Sequence, residues 1–179
     1  MTKTAEKNIP LPGVHRGWYL ASGFLVGLVV ATGSLAWSTI PQRLPMHWDG
    51  AGNVDRFAEK SFWTVFTGPL ICLGLLLFLY ATALIIRRFP LNNSAPYGVD
   101  EQVHQRAGMD STLYFLALSA FALSLLIGWM TLRSWFLPPE ASALLLVLPT
   151  LAFLGVVAVA GLLAWRRYGR LVAALSAED

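Results

Sequence analysis

The run "WYLASGFLVGLVVATGSLAW", from Trp18 to Trp37, contains no charged side chain. A helix of this length rises about 30 Å, which is the thickness of the hydrocarbon core of a bilayer. In the chain as a whole, 56% of the residues are hydrophobic and 13% are charged, whereas soluble domains are about a quarter charged. The run therefore predicts a membrane-spanning helix.

Three further apolar runs follow, at Phe62–Ile86, Leu113–Leu132 and Ala141–Trp165. Pro69 and Pro149 lie inside the second and fourth runs, where proline is expected to kink a helix or to mark an irregular turn. The short polar segments between the runs leave no room for a large soluble domain. The sequence thus predicts an all-α integral membrane protein with four transmembrane helices.

The runs divide the chain into five parts. These are an N-terminal tail (1–17), the first two helices (18–86) with a polar loop between them (39–61), a second loop (87–112), the last two helices (113–165) and a C-terminal tail (166–179). A cleaved signal peptide is the alternative interpretation of the first run, because Lys3, Lys7 and Arg16 precede it. However, the apolar core of a signal peptide has about 7 to 15 residues, and this run is longer and ends in Trp37, so a retained helix is expected.

Lysine and arginine are distributed unevenly between the two sides of the predicted helices. Nine lie on one side: Lys3, Lys7, Arg16, Arg87, Arg88, Arg106, Arg166, Arg167 and Arg170; four lie on the other: Arg43, Arg56, Lys60 and Arg133. Basic residues favour the cytoplasmic side of a membrane. Both termini are therefore expected to be cytoplasmic, and the loop 39–61 extracytoplasmic. These residues flank apolar runs and do not form a basic face with interleaved aromatics, so no nucleic-acid binding is expected.

The predicted spans contain no charged residue and no histidine, which disfavours pumps, proton relays and ion-coupled transporters. Their hydroxyl groups are expected to bond to their own helix backbone or to a neighbouring helix; they belong to Ser22, Thr32, Ser34, Thr67, Thr82, Ser119, Ser124 and Thr150. "GFLVG", Gly23 to Gly27, would allow close helix approach. Cys72 is the only cysteine, so neither a disulfide nor a metal-binding thiol pair is predicted.

The segment "LPMHWDGAGNVDRFAEK", Leu44 to Lys60, concentrates polar residues between the first two spans. Pro41 and Pro45 fix extended backbone at its entry. The segment "DGAGN", Asp49 to Asn53, is rich in residue types that tolerate tight turns. Met46–Trp48 and Val54–Phe57 are therefore predicted to form the two arms of a short hairpin.

Two helix starts can also be located from the sequence. Ser61, with Thr64 three residues later, is a good N-cap for the second span. Asp100 opens "DEQVHQRAGMD", which is expected to begin a helix that continues into the third span.

The polar loop allows a chemical interpretation as well as a structural one. His47, Asp49 and Asp55 could come together across the turn as a divalent-ion site or an acid-base pair. Arg56 and Lys60 are equally able to neutralise the two aspartates, which favours a salt-bridged, hydrogen-bonded loop resting on the membrane surface. No glycine-flanked serine, paired cysteine or HExxH accompanies the loop. Catalytic residues, a metal and a cofactor are therefore not predicted.

The loop pattern P-x3-P-x-H, followed by G-x2-D-R-x3-K, resembles the signature of a bacterial membrane-protein family. The matching positions are Pro41, Pro45, His47, Gly52, Asp55, Arg56 and Lys60. The family is built on a domain of unknown function that it shares with the SdpI-type toxin immunity proteins. The resemblance covers about residues 18–86 and implies an integral membrane protein with an outward-facing motif loop. For the best-known members it implies protection from a secreted peptide toxin and sequestration of a repressor at the membrane.

Two functional hypotheses remain. In the first, the chain is a non-enzymatic immunity or signalling module of the bacterial plasma membrane. Its outer loop meets a secreted peptide, toxin or lipid, and its inner loop and tails meet a cytoplasmic regulator. In the second, it is an accessory subunit or assembly partner of a larger membrane protein complex. A membrane enzyme acting on lipid or peptide ranks below both.

Overall fold

The computed structural model describes residues 10–89 and 94–177. Lys3, Lys7 and the rest of residues 1–9, together with 90–93 and 178–179, lie outside the described part of the predicted tails and loop. The elements in chain order are α1 (Arg16–Leu35), β1 (Arg43–Trp48), β2 (Val54–Glu59), α2 (Phe62–Arg88), α3 (Glu101–Phe136) and α4 (Leu144–Ser176).

All four helices are long and apolar enough to cross a membrane. The predicted fold class is therefore confirmed, and the chain is a multi-pass membrane protein. Which end faces the cytoplasm stays a prediction.

Two of the helices are longer than the apolar runs that predict them. α3 already begins at Glu101 and α4 continues to Ser176, and at about 1.5 Å per residue they are about 54 Å and about 50 Å long. An apolar run marks only the part of a helix in the hydrocarbon core, about 30 Å thick. Leucine, alanine and arginine in residues 166–176 sustain the helix beyond that core because they are good helix formers.

The polar segment between α1 and α2 forms the predicted hairpin, with β1 and β2 antiparallel. Both arms are longer than expected from the sequence. The two predicted helix starts are also confirmed. Ser61 and Thr64 form a reciprocal capping box at α2, and the Asp100 carboxylate accepts hydrogen bonds from the backbone N–H groups of Gln102 (2.9 Å) and Val103 (3.2 Å) at α3.

α1, α2 and α3 pack against one another, whereas α4 packs mainly against α3. Glycine allows two of the close approaches. A Cβ at Gly33 would lie 2.6 Å from the Trp135 ring, and one at Gly68 would overlap the Thr131 side chain. At Gly23, by contrast, an added Cβ would meet no other part of the described chain within 4 Å. The "GFLVG" motif therefore does not mediate close packing inside this bundle.

Most of the hydroxyl groups in the predicted spans bond to their own helix backbone, as expected. Seven of the eight donate to the carbonyl one turn earlier: Ser22, Thr32, Ser34, Thr67, Thr82, Ser124 and Thr150. The hydroxyl oxygen of the eighth, Ser119, is buried and has no hydrogen-bond partner in the described part of the chain. These bonds satisfy polar groups without forming a path across the bundle.

The hairpin rests on a buried apolar cluster at one end of the helices. Ile40, Leu44 and Val65 are at most 2% exposed and pack with Phe66 and Trp135. Side chains from α2, α3 and the segment before β1 thus hold the base of the hairpin in place.

Candidate functional site

Asp49 organises the turn of the hairpin. One oxygen of its carboxylate accepts hydrogen bonds from the backbone N–H groups of Ala51 (2.9 Å) and Asn53 (2.8 Å). The hydrogen bonds from Asn53, followed by those from Ala51 and Gly52, lower the pKa of Asp49. Gly52 has a φ of 86°, a conformation that glycine adopts readily and other residues rarely do. Asp49 is therefore a turn residue.

His47 and Asp55 meet across the two strands. The distance between His47 Nδ1 and Asp55 Oδ1 is 2.6 Å, and about half of each side chain is exposed. Of the three residues predicted to converge, the structure thus pairs two, while Asp49 turns towards the loop backbone. In residues 10–89 and 94–177, no group of three or more His, Cys, Asp or Glu side chains is placed to hold a metal ion.

Lys60 ties the end of the hairpin to the exit of α1. Its ammonium group donates to the carbonyl oxygens of Trp37 and Ile40, the latter at 3.0 Å, and lies 5.0 Å from the centre of the Trp37 ring. The charge pattern suggests that Lys60 pairs with Asp49 or Asp55. In the structure it does not, because its ammonium group bonds to these two carbonyl oxygens instead. β2 ends at Glu59, close to the segment that follows α1. The carbonyl groups of that segment are therefore within reach of the Lys60 side chain, which bonds to them.

The other predicted loop residues divide into buried and exposed positions. Pro45 is buried and lies opposite Phe57, whereas Pro41 and Arg56 are exposed. Within the described residues Arg56 has no carboxylate at ion-pair distance. The ion pair of the two strands joins Arg43 to Glu59 instead, at 3.7 Å, with both side chains more than two-thirds exposed. Such an exposed pair adds little stability.

A buried arginine in α3 contacts the hairpin through the Trp48 ring. Arg133 is 2% exposed, its guanidinium lies 4.8 Å from the centre of the Trp48 ring, and it donates to the Ala141 carbonyl at 3.1 Å. In the sequence, Arg133 is only one of the four basic residues on the hairpin side of the predicted helices. No pattern in the sequence relates positions 48 and 133, so this contact could not be predicted.

The turn of the hairpin lies against the connection between α3 and α4. A Cβ at Gly52 would overlap the Cβ of Ala143, the residue before α4. Gly52 is thus required for its backbone conformation and also for close approach. The motif loop is in this way attached to the second pair of helices as well as to the first.

A cleft of about 270 Å³ opens beside β1, between the hairpin, α2 and α3. Its lining is mostly apolar and includes Met46, Trp48 and Met130, with the hydroxyl groups of Thr64 and Ser134. Methionine side chains adapt to ligands of different shape. The lining of the cleft is therefore suited to an apolar group.

A second polar cluster lies at the opposite end of the helices, and sequence reasoning missed it. Asp110 of α3 accepts a hydrogen bond from Nε of Arg167 in α4, and its other oxygen is 3.7 Å from Nε2 of His15. The Tyr114 ring contacts both the His15 ring and the Arg167 guanidinium. We call these four residues the Asp110 cluster.

A neighbouring contact extends this cluster along α3 and α4. His104 Nδ1 lies 2.7 Å from the Tyr168 hydroxyl group. The pair joins the parts of the two helices that extend beyond the predicted spans. This contact links the two extensions to each other.

Comparison with known proteins gives one result. Residues 24–73 match the family model described as "Domain of unknown function (DUF1648)". The match runs from within α1 to within α2 and includes the whole hairpin. No curated protein and no solved structure matches the chain.

Proposed function

We propose that the chain is a non-enzymatic protein of the bacterial plasma membrane that recognises a peptide or protein through its hairpin, as an SdpI-like immunity or signalling module. The observation that carries the proposal is that the hairpin exposes a polar surface while contacts with the rest of the chain hold it in place. The match of residues 24–73 to the domain-of-unknown-function family is compatible with it.

The support consists of three contacts from different parts of the chain. Trp48 lies over the buried Arg133, Lys60 binds two carbonyl groups at the end of α1, and Gly52 lies against Ala143. A surface that is already ordered loses less conformational entropy when it binds a partner. The hairpin is therefore better suited to recognition than a free loop of the same length.

The exposed surface combines charge with one aromatic ring. His47 and Asp55 are about half exposed, Arg56 is exposed, and Phe57 is 38% exposed with the Arg43 guanidinium 5.3 Å from its ring centre. Aromatic and arginine side chains contribute much of the binding energy at protein interfaces. Together with the apolar cleft beside β1, this surface fits an amphipathic peptide segment.

A challenge experiment tests the proposal. The gene is deleted, and the cells are exposed to peptides secreted by related bacteria. We expect the deletion to make the cells sensitive, the wild-type gene to restore resistance, and the double variant His47→Ala/Asp55→Ala to fail although it is inserted normally. A photoreactive residue at Phe57 should cross-link the protective peptide, whereas one at Tyr97 should not, because Tyr97 is fully exposed at the opposite end.

Two results would contradict recognition by the hairpin. One is unchanged sensitivity together with no cross-link from Phe57. The other is turnover of a lipid or peptide by the purified protein that depends on His47 and Asp49, which would favour the membrane enzyme. Arg88→Gln serves as the control for a general effect of removing charge, since Arg88 is exposed at the end of α2 that lies farthest from the hairpin.

An accessory subunit of a larger membrane complex is the second candidate function. It is favoured by α4, which packs mainly against α3 and exposes a long apolar face that includes Leu148, Leu151 and Leu162. In a membrane that face can contact either lipid or another protein. A stoichiometric partner that remains bound on a native gel in mild detergent would support this candidate over a solitary module.

A further inference from the structure

One face of the C-terminal half of α4 points away from the rest of the protein. Trp165, Arg166, Gly169, Arg170 and Ala173 are all exposed. Their spacing of three and four residues places them on one side of the helix. The opposite side, with Ala164 and Arg167, turns towards α3.

The arginines in this part of α4 differ in their partners. Arg167 binds Asp110. Within residues 10–89 and 94–177, neither Arg166 nor Arg170 has a carboxylate at ion-pair distance. The outer face therefore carries two positive charges, one helical turn apart, that no acidic side chain of the described chain neutralises.

The same face has a shallow, open groove of about 720 Å³, which is lined by side chains of α4 alone. Gly169 lines this groove, and a Cβ added there would meet no other part of the described chain within 4 Å. The groove is also lined by Trp165, which is 71% exposed, and by Arg166 and Arg170. Glycine thus leaves a space between an aromatic ring and two guanidinium groups.

The groove lies at the depth of lipid headgroups. Trp165 is about 32 Å along the helix axis from Leu144, at about 1.5 Å per residue, and the hydrocarbon core is about 30 Å thick. Tryptophan is enriched at this boundary, and arginine beyond it faces the phosphate groups. The part of α4 before Trp165 would lie beside the acyl chains of a lipid bound there.

We propose that this groove binds the headgroup of an anionic phospholipid. Arg166 and Arg170 hold the phosphate, which guanidinium groups bind through paired hydrogen bonds. The Trp165 ring packs against the glycerol region, and the missing side chain at Gly169 makes room for the headgroup. The inference does not depend on which side of the membrane the hairpin faces.

Native mass spectrometry of the full-length protein in mild detergent tests the proposal. The protein is mixed with equal amounts of phosphatidylglycerol and phosphatidylcholine. We expect one phosphatidylglycerol to be retained in preference to phosphatidylcholine. The double variant Arg166→Gln/Arg170→Gln should reduce that binding by roughly tenfold or more, because each arginine contributes separately.

Two variants separate a formed site from general attraction to charge. Arg87→Gln/Arg88→Gln removes two basic residues at the same end of the bundle and should leave binding within about twofold of wild type. Gly169→Leu keeps both charges but fills the groove, so it should weaken binding about as much as the arginine double variant. Gly169 has open space beside it, so this variant should fold. Equal loss in the Arg87/Arg88 variant, or wild-type binding by Gly169→Leu, would overturn the proposal.

A competition experiment identifies the source of the phosphate. Sodium phosphate alone, added in large excess over the lipid, should not displace phosphatidylglycerol, because inorganic phosphate lacks the part that packs on Trp165. Displacement by inorganic phosphate would overturn the assignment to a phospholipid.

Discussion

The hairpin and the Asp110 cluster are polar networks at opposite ends of the same four helices, and they are built in different ways. The His47–Asp55 pair of the hairpin is about half exposed, and the two residues are separated by eight positions. The Asp110 carboxylate is 14% exposed and pairs with Arg167, 57 positions away. The first network shapes a surface from neighbouring residues, and the second fastens distant segments to each other.

Burial determines what each network contributes. Exposed ion pairs are worth less than about 1 kcal/mol because water competes for both partners, so the hairpin pairs should contribute little to the free energy of folding. A buried charge that loses its partner costs several kcal/mol. The Asp110 cluster should therefore stabilise the arrangement of α1, α3 and α4, whereas the exposed hairpin pairs should not, and under the function proposed above they serve recognition.

The largest expected effect concerns the sides of the membrane on which the two networks lie. The excess of lysine and arginine predicts that the hairpin is outside and the Asp110 cluster faces the cytoplasm. With Cys72 replaced by alanine, a cysteine introduced at the exposed Ala51 should react fully with a membrane-impermeant maleimide in intact cells. A cysteine at Tyr97, which is fully exposed at the other end, should react only after lysis. The reverse pattern of labelling would invert the orientation.

The next effect is on stability. Asp110→Asn removes the charge that faces Arg167 and His15, and should lower the free energy of unfolding by about 2 kcal/mol. This figure is below that of a fully buried pair because the Arg167 side chain is 35% exposed and partly screened by solvent. Thermal unfolding in mild detergent would measure the loss. The matched control, Glu59→Gln, breaks the exposed pair with Arg43 and should cost less than about 0.5 kcal/mol; equal losses in both variants would remove the distinction between the networks.

The two networks also differ in how far the sequence predicts them. The hairpin could be located because turn residues, proline and the capping pair Ser61 and Thr64 act on backbone within a few positions. The pairing of His47 with Asp55 followed from that local geometry. The role of Asp49 did not, because the same carboxylate can face a ligand or the backbone N–H groups of its own turn.

The Asp110 cluster and the attachment of the hairpin could not be predicted for a common reason. They join residues that are distant in the sequence and are brought together by the packing of the helices, which is set by contacts such as those of Gly33 with Trp135 and of Gly68 with Thr131. Four apolar runs fix the number of helices but leave their neighbours and rotations open. The contact of Arg133 with Trp48 therefore becomes visible only in the folded chain.

A smaller effect should follow from a change at the turn that joins the hairpin to the second pair of helices. Gly52→Ala places a Cβ at a φ of 86° and against Ala143, so it should destabilise the docked hairpin by about 1 to 2 kcal/mol. Faster proteolysis of the hairpin, with the helices intact, would report this loss. Gly50→Ala is the matched control, since a Cβ there meets no other part of the described chain within 4 Å. Unchanged proteolysis in Gly52→Ala would show that the hairpin does not depend on its contact with α4.

The smallest effect is confined to the turn and appears only in acid. Hydrogen bonds from Asn53, Ala51 and Gly52 lower the pKa of Asp49 below its ordinary value of 3.8. The folded turn therefore favours the ionised carboxylate, and its contribution is fully present above pH 3.8 and is lost as the pH falls through the lowered pKa. Between pH 5 and pH 2 the backbone N–H signals of Ala51 and Asn53 should shift in NMR spectra of the detergent-solubilised protein, while signals from α2 and α3 stay unchanged.

In Asp49→Asn the side-chain oxygen still accepts hydrogen bonds but does not titrate, so the acid transition at the amides of Ala51 and Asn53 should disappear. If it persists in that variant, another group controls the turn, and the hairpin is less self-contained than its hydrogen bonds indicate.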